Sequence, residues 1–140
     1  MLSQKTQYAL RALTLLVQRY NEGPVLIAEI ATQKNIPLKF LEAILLHLRR
    51  EGVLQSKKGK GGGYYLAQHP KKTSIAHIVR IVNGPIALLP CVSLNFYRPC
   101  ENCDGQNCGL QAVMAEARDA TLKVLERRTL HHLASGPEDL

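Results

Sequence analysis

What this sequence lacks narrows it quickly. No window of the 140 residues is apolar for the ~20 residues a membrane span needs. The opening stretch, Met1-Leu2-Ser3-Gln4-Lys5-Thr6, holds no apolar signal segment, so the expected location is the cytoplasm. Catalytic signatures are missing too. There is no convincing Ser/His/Asp set, no pair of carboxylates in one motif and no nucleotide fingerprint, so an enzyme is not expected. Gly61-Gly62-Gly63 is not a Walker loop, because it lacks the Lys-Ser/Thr ending and the strand-to-helix setting. Acidic residues are few, 11 against 18 Lys and Arg, for a net charge of +7.

That positive charge is unevenly placed. Residues 1–84 hold 13 Lys/Arg against 4 Asp/Glu, while residues 85–140 hold 5 against 7. The first part therefore carries the positive field, and a polyanion is the partner that suits it.

The stretch from Ile27 to Leu66 gives that charge a form. It reads as a helix (Ile27 to Gln33), a tight break (Lys34-Asn35-Ile36-Pro37) and a second helix (Leu38 to Arg50). Leu41, Ile44, Leu45 and Leu48 recur at helical spacing and form a buried stripe. Lys39, Phe40, Glu42, Ala43, His47 and Arg50 remain around the other surface. Gly52 ends the helix, a strand resumes at Val53 to Ser56, and Tyr64-Tyr65-Leu66 returns. Between them Lys57, Lys58 and Lys60 alternate with Gly59 and Gly61. Glycine lets the backbone turn tightly and come close to phosphates, and the lysines neutralise them. Helix, turn, helix and a lysine-tipped hairpin is the order of a winged helix-turn-helix, whose second helix enters the major groove of DNA.

Around this unit, Thr6 to Tyr20 is expected to form a bracing core helix, capped by Ser3 or Thr6 and ended by Gly23-Pro24. Val25-Leu26 suits a brief strand. Thr73 or Ser74 caps a further helix, Ile75 to Val82, which Asn83-Gly84-Pro85 stops. The predicted organisation is a DNA-binding domain over 1–84, a cysteine-bearing loop over 85–109, a dimerisation helix over 110–134 and a disordered tail over 135–140. The fold class is mainly α with a small β-wing. In the last helix Leu110, Val113, Met114, Ala117, Thr121, Val124 and Leu125 recur at three-and-four spacing. Extending from Leu110 to about Leu133, it would be roughly 36 Å long. That exceeds what a small domain buries alone, so a second copy is expected on it.

All four cysteines lie in the loop, as Cys91, Cys100, Cys103 and Cys108. Their pattern, C-x8-C-x2-C-x4-C, is neither the paired CxxC of a zinc ribbon nor a ferredoxin run. Cytosolic thiols gathered this way serve as metal ligands or redox centres. Three chemistries stay open: an iron–sulfur cluster, which is preferred, zinc, and a thiol–disulfide switch. Of the cluster types, 2Fe-2S is preferred over 4Fe-4S.

The whole pattern resembles the Rrf-two family of bacterial winged-helix transcription regulators. The residues that carry the resemblance are Tyr8-Ala9-Leu10-Arg11-Ala12-Leu13, Ile36 to Glu42, Leu48-Arg49-Arg50-Glu51-Gly52, the wing Lys58 to Tyr64, and the cysteine loop before a long helix. The resemblance implies a homodimer joined through the long helix and bound to a partly palindromic operator. It implies that three loop cysteines hold a cluster, with a further residue at the fourth site. Cys91 and Cys108 match the first and last, and the middle one is Cys100 or Cys103. IscR-like members place a histidine where this chain has Gln111, and NsrR-like members an acidic residue where it has Gln7. The expectation for this chain is that its extra cysteine fills the fourth site. Ala43 stands where IscR has glutamine, so the operator sequence cannot be carried over from it. The function expected is a DNA-binding regulator, a repressor, switched by the cluster. The alternatives are the same regulator switched by zinc or thiol oxidation, and an iron–sulfur carrier on a winged scaffold. No small-molecule substrate is expected.

Overall fold

A computed structural model describes residues 1–101, 103 and 107–140. The first helix, α1 (Gln4–Gln18), begins where Ser3 Oγ accepts the Thr6 amide proton at 3.1 Å. It closes at Arg19, earlier than Gly23-Pro24 would require. The chain then turns through Asn21, whose φ of 64° is left-handed. Ala9, Ala12, Leu13, Leu15 and Leu16 are buried on its inner face.

Helices α2 (Ile27–Lys34) and α3 (Leu38–Arg50) follow, as their spacing predicts. Between them Asn35 caps α2 in a left-handed conformation, with φ of 52°. Asparagine tolerates that conformation, which lets the chain reverse within three residues. Leu41, Ile44, Leu45 and Leu48 are no more than 1% exposed, and each such side chain contributes ~1.5–3 kcal/mol by leaving water.

The wing is an antiparallel pair, β1 (Leu54–Lys57) and β2 (Gly63–Leu66), in the register Leu54 to Leu66 and Lys57 to Gly63. Val25 adds a single bridge to Tyr64, so the expected brief strand is one residue pair. Helix α4 (Ile75–Val82) starts on Ser74, whose Oγ accepts the His77 amide proton. These elements enclose one apolar core.

The C-terminal half departs from expectation. The long helix, α5, spans Gly109–Arg127, 19 residues rather than about 24, and so ~28 Å. The chain then leaves the helix. Thr129 bridges to Ser74, Ile75 donates its amide to Arg128 O, and Leu130 donates to Thr73 O, both at 2.9 Å. Leu130 enters the core at 1% exposure. A straight helix would carry Leu130 away from that core, and its burial together with these backbone pairs outweighs continuing the helix. A short α6 (His131–Ser135) then packs on α1. The tail, expected to be disordered, forms a 3-10 turn at Pro137–Asp139. Arg128 donates to Leu140 O at 3.1 Å. Among the described residues no helix is long and apolar enough to cross a membrane.

Candidate nucleic-acid interface and cysteine site

The apolar stripe of α3 is turned fully inward, so its opposite face must be outward. Lys39, Glu42, Ala43 and Arg50 are exposed, and His47 is half-buried. His47 Nε2 lies 3.9 Å from Glu51 Oε1, one turn along. Phe40 is 61% exposed, yet its ring tilts against Tyr8 of α1, with centroids 6.4 Å apart. Arg11 places its guanidinium 4.8 Å from the Tyr8 ring centroid. It also donates to Lys34 O at 3.4 Å, at the end of α2. The start of α3 is thus flanked by a cation that sequence reasoning did not assign to the DNA face. Arg11 lies on the polar side of α1, but only the packing of α1 on α2 brings it to the turn.

The wing tip is built by glycine. Gly59 and Gly61 have φ of 88° and 74°, values that glycine adopts without steric cost. Gly62 turns tightly enough that a Cβ there would meet Lys57 O at 2.3 Å. Its amide donates to Gly59 O at 3.0 Å. Lys57, Lys58 and Lys60 are all exposed. None pairs with a carboxylate among the described residues. Their charges are free to meet phosphate.

The cysteine site lies at the other end of the molecule's sequence logic, between a short turn and a helix start. Cys91 sits in the 3-10 turn Pro90–Val92. Cys108 caps α5, its Sγ accepting the Gln111 amide proton at 3.4 Å. Both line an open cleft of about 500 Å³ with Asn107, Gln111, Ala115 and Arg118. Cys100 and Cys103 are exposed, and none of the four is in a disulfide. The Cys100 thiol is held above its ordinary pKa, first by its hydrogen bond with Cys91, then by burial, then by the charges of Cys91, Cys103 and Cys108. The four sulfurs therefore feel one another.

As a donor set, four thiols fit a soft metal centre. Their arrangement is not a finished one. Among the described residues no three of the His, Cys, Asp or Glu side chains are gathered at metal-holding geometry. Gln111, at the position where a histidine was sought, does line the cleft. Gln7 is instead engaged locally, donating to Leu2 O at 3.2 Å. His69 and His132 serve the fold. The Nδ1 atoms of His69 and His132 accept the amides of Lys71 and Thr129.

The apolar stripe of α5 divides. Leu110, Val113 and Val124 are 58, 57 and 46% exposed, and Met114 is half-buried. Ala117, Thr121 and Leu125 line an apolar groove of about 280 Å³ with Ile75, Val79 and residues 85–88. Leu122, absent from the expected stripe, is the helix's one fully inward side chain at 7% exposure.

Three comparisons bear on this arrangement. The family model of Rrf2, described as an iron-dependent transcriptional regulator, matches residues 2–136. The rrf2-like HTH-type transcriptional regulator of Rhodobacter capsulatus is 43% identical over 141 residues, 97% of this chain and 94% of that one. Among solved structures, CymR, the global cysteine regulator of B. subtilis, has a TM-score of 0.81 at 30% identity, with 96% of each chain covered. T. potens IscR has a TM-score of 0.77 at 25% identity, covering 99% of this chain and 90% of that one.

Proposed function

The chain belongs to the Rrf2 family of transcriptional regulators, and from that premise we propose that it is a cytoplasmic homodimer that represses transcription under the control of its cysteine loop. Its relatives are transcription regulators, not enzymes, and the winged-helix fold is shared with CymR and IscR. The observation that carries the DNA reading is the pairing of two features. One is a helix with a wholly buried stripe and an outward row, Lys39, Phe40, Glu42 and Ala43. The other is a hairpin tip whose lysines form no ion pair among the described residues.

In this reading the outward row of α3 and residues His47 and Arg50 meet the major groove. Lys57, Lys58 and Lys60, with Gly59 and Gly61, track the phosphates beside it. Base edges give sequence preference to the first set, and phosphates give salt-sensitive affinity to the second. The exposed residues Leu110, Val113 and Val124, with the groove along Ala117, Thr121 and Leu125, suit a partner helix from a second copy. A dimer of this kind sets two α3 helices at one spacing, and a partly palindromic operator follows from that symmetry.

Cys91, Cys100, Cys103 and Cys108 would hold the iron–sulfur cluster, with 2Fe-2S preferred. A bound cluster would supply one-electron redox chemistry and sensitivity to oxidants. The chain's own part is mechanical. Cys108 is the cap of α5 and Cys91 lies on the turn packed against it, so gathering the thiols draws the loop onto the dimer helix. Zinc on the same thiols is the second reading, because four thiolates also suit zinc. The test is purification without oxygen, a visible spectrum with iron, sulfide and zinc analysis, and duplex binding before and after air. Colour with iron and sulfide, and binding that changes in air, is expected. A colourless zinc protein overturns the cluster and leaves the DNA reading standing.

A further inference from the structure

We propose that Arg118 is a positioning residue of the cysteine site, clamping the turn that carries Cys91 onto α5. The proposal deepens the reading of the cysteines as a ligand set. Arg118 lies on one face of α5 with Gln111 and Ala115, at helical spacings of seven and three residues, and all three line the cleft with Cys91 and Cys108. Its side chain is 16% exposed, low for an arginine on a helix that is otherwise largely open.

The guanidinium is used on two sides. Nε and Nη2 reach the exposed Asp119 carboxylate at 2.9 and 2.8 Å. That fixes the plane of the fork and leaves Nη1 to donate to Val92 O at 2.8 Å. Val92 is 3% exposed and directly follows Cys91. Among the described residues no other donor reaches Val92 O. Among the described residues the other backbone hydrogen bonds of this turn are local. Val92 N donates to Leu89 O, and Ser93 N and Arg98 N both donate to Pro90 O, each at 3.2 Å. Among the described residues the polar tie from this turn to α5 is therefore the Arg118 bond, assisted by packing. Cys108 belongs to α5 through its cap. A ligand set that needs Cys91 and Cys108 together needs the turn and the helix in fixed relation, and Arg118 fixes it. Lysine cannot replace this fork, because one ammonium on a flexible stem does not hold Asp119 and Val92 O in one plane.

The test uses the full-length protein with Arg118→Met, Arg118→Lys and, as a control that leaves the arginine in place, Asp119→Asn. The first measurement is amide hydrogen exchange of residues 89–98 in the reduced, metal-free protein. Arg118→Met should speed exchange there about tenfold, the order set by one charge-assisted hydrogen bond, with α1 to α4 unchanged. Arg118→Lys should recover only part of the protection, and Asp119→Asn most of it. The second measurement is visible circular dichroism after loading with ferrous iron and sulfide without oxygen. The bands report the chirality of the ligand cage, so Arg118→Met should alter their shape as well as their yield. Unchanged exchange at 89–98 in Arg118→Met overturns the clamp. Identical visible dichroism in wild type and Arg118→Met overturns its bearing on the ligands. If wild type takes up no metal, the ligand reading of the cysteines fails, and the exchange result still decides the clamp by itself.

Discussion

The ring of Phe40, at the exposed start of α3, lies 6.4 Å from the ring of Tyr8 on α1, tilted by 47°. Gln4 donates to the Tyr8 hydroxyl at 2.9 Å, and Arg11 sits over the same ring. The exposed start of α3 is thus braced by α1. Tyr8→Ala should remove an aromatic pair and a cation–π contact, lowering stability by ~1–2 kcal/mol. It should also reduce binding to a duplex selected from a random pool more than binding to arbitrary DNA. Thermal melts with fluorescence anisotropy check this. Equal losses on both duplexes would assign Tyr8 to folding alone.

The wing lysines should act without regard to sequence. Lys58 and Lys60 are exposed and carry no ion pair among the described residues. Replacing both with alanine should weaken binding to every duplex and reduce the slope of log affinity against log salt by ~1.8 per protomer. A salt titration of anisotropy reads that slope. A slope equal to wild type would move these lysines off the phosphates.

Two glycines of the wing should differ sharply. At Gly63 a Cβ would lie 2.2 Å from Val25 O, with φ of 143°. Gly63→Ala should cost ~2–3 kcal/mol or more and break the bridge in which Val25 and Tyr64 exchange amide bonds at 2.8 and 2.9 Å. At Gly59 a Cβ meets open space, with φ of 88°. Gly59→Ala should cost only the left-handed penalty of ~1–2 kcal/mol. Denaturant melts rank the two, and a larger loss at Gly59 would contradict the geometry.

Much of the N-terminal half was legible because its signals are local. The spacing of Leu41, Ile44, Leu45 and Leu48 marks a helix face, Asn35 and Pro37 mark the turn, and the glycines mark the wing. What was not legible is tertiary. Nothing between Arg127 and Leu133 breaks helical periodicity, so the exit at Arg128 is set by Leu130 finding a core site and by backbone pairing with Thr73 and Ile75. Packing on α4 and the 86–96 segment buries Leu122 and splits the α5 stripe between an open face and its own domain. In the cysteine loop, the sequence pattern picks out four candidate donors. Arg118 stayed hidden because its partner, Val92 O, is a backbone atom 26 residues away.

Asn83 should hold the start of the chain to the end of α4. Its Oδ1 accepts from Ser3 N at 2.8 Å and from Thr6 Oγ1 at 3.0 Å, and Thr6 is fully buried. Thr6→Val removes one donor and should cost ~1 kcal/mol, while Asn83→Ala leaves the buried Thr6 hydroxyl only Ser3 Oγ, 2.8 Å away, and should also cost ~1 kcal/mol. Equal stability of Asn83→Ala and wild type would show that water replaces the amide.

The number of ligating cysteines is open to a direct count. Cys91 and Cys108 share the cleft, and the exposed Cys100 thiol is held above its ordinary pKa chiefly by its neighbour Cys91. If all four thiolates are ligands, each single change to alanine should abolish the visible absorbance of protein loaded with ferrous iron and sulfide. Cys108 needs a second control, because its Sγ also caps α5 through the Gln111 amide. Cys108→Ala loses both roles and should cost ~1 kcal/mol of stability besides. Cys108→Ser restores an N-cap acceptor, so its stability should return while the absorbance stays lost. Full absorbance in any two of the four alanine variants would reduce the ligand set below four and return the remaining position to a residue such as Gln111.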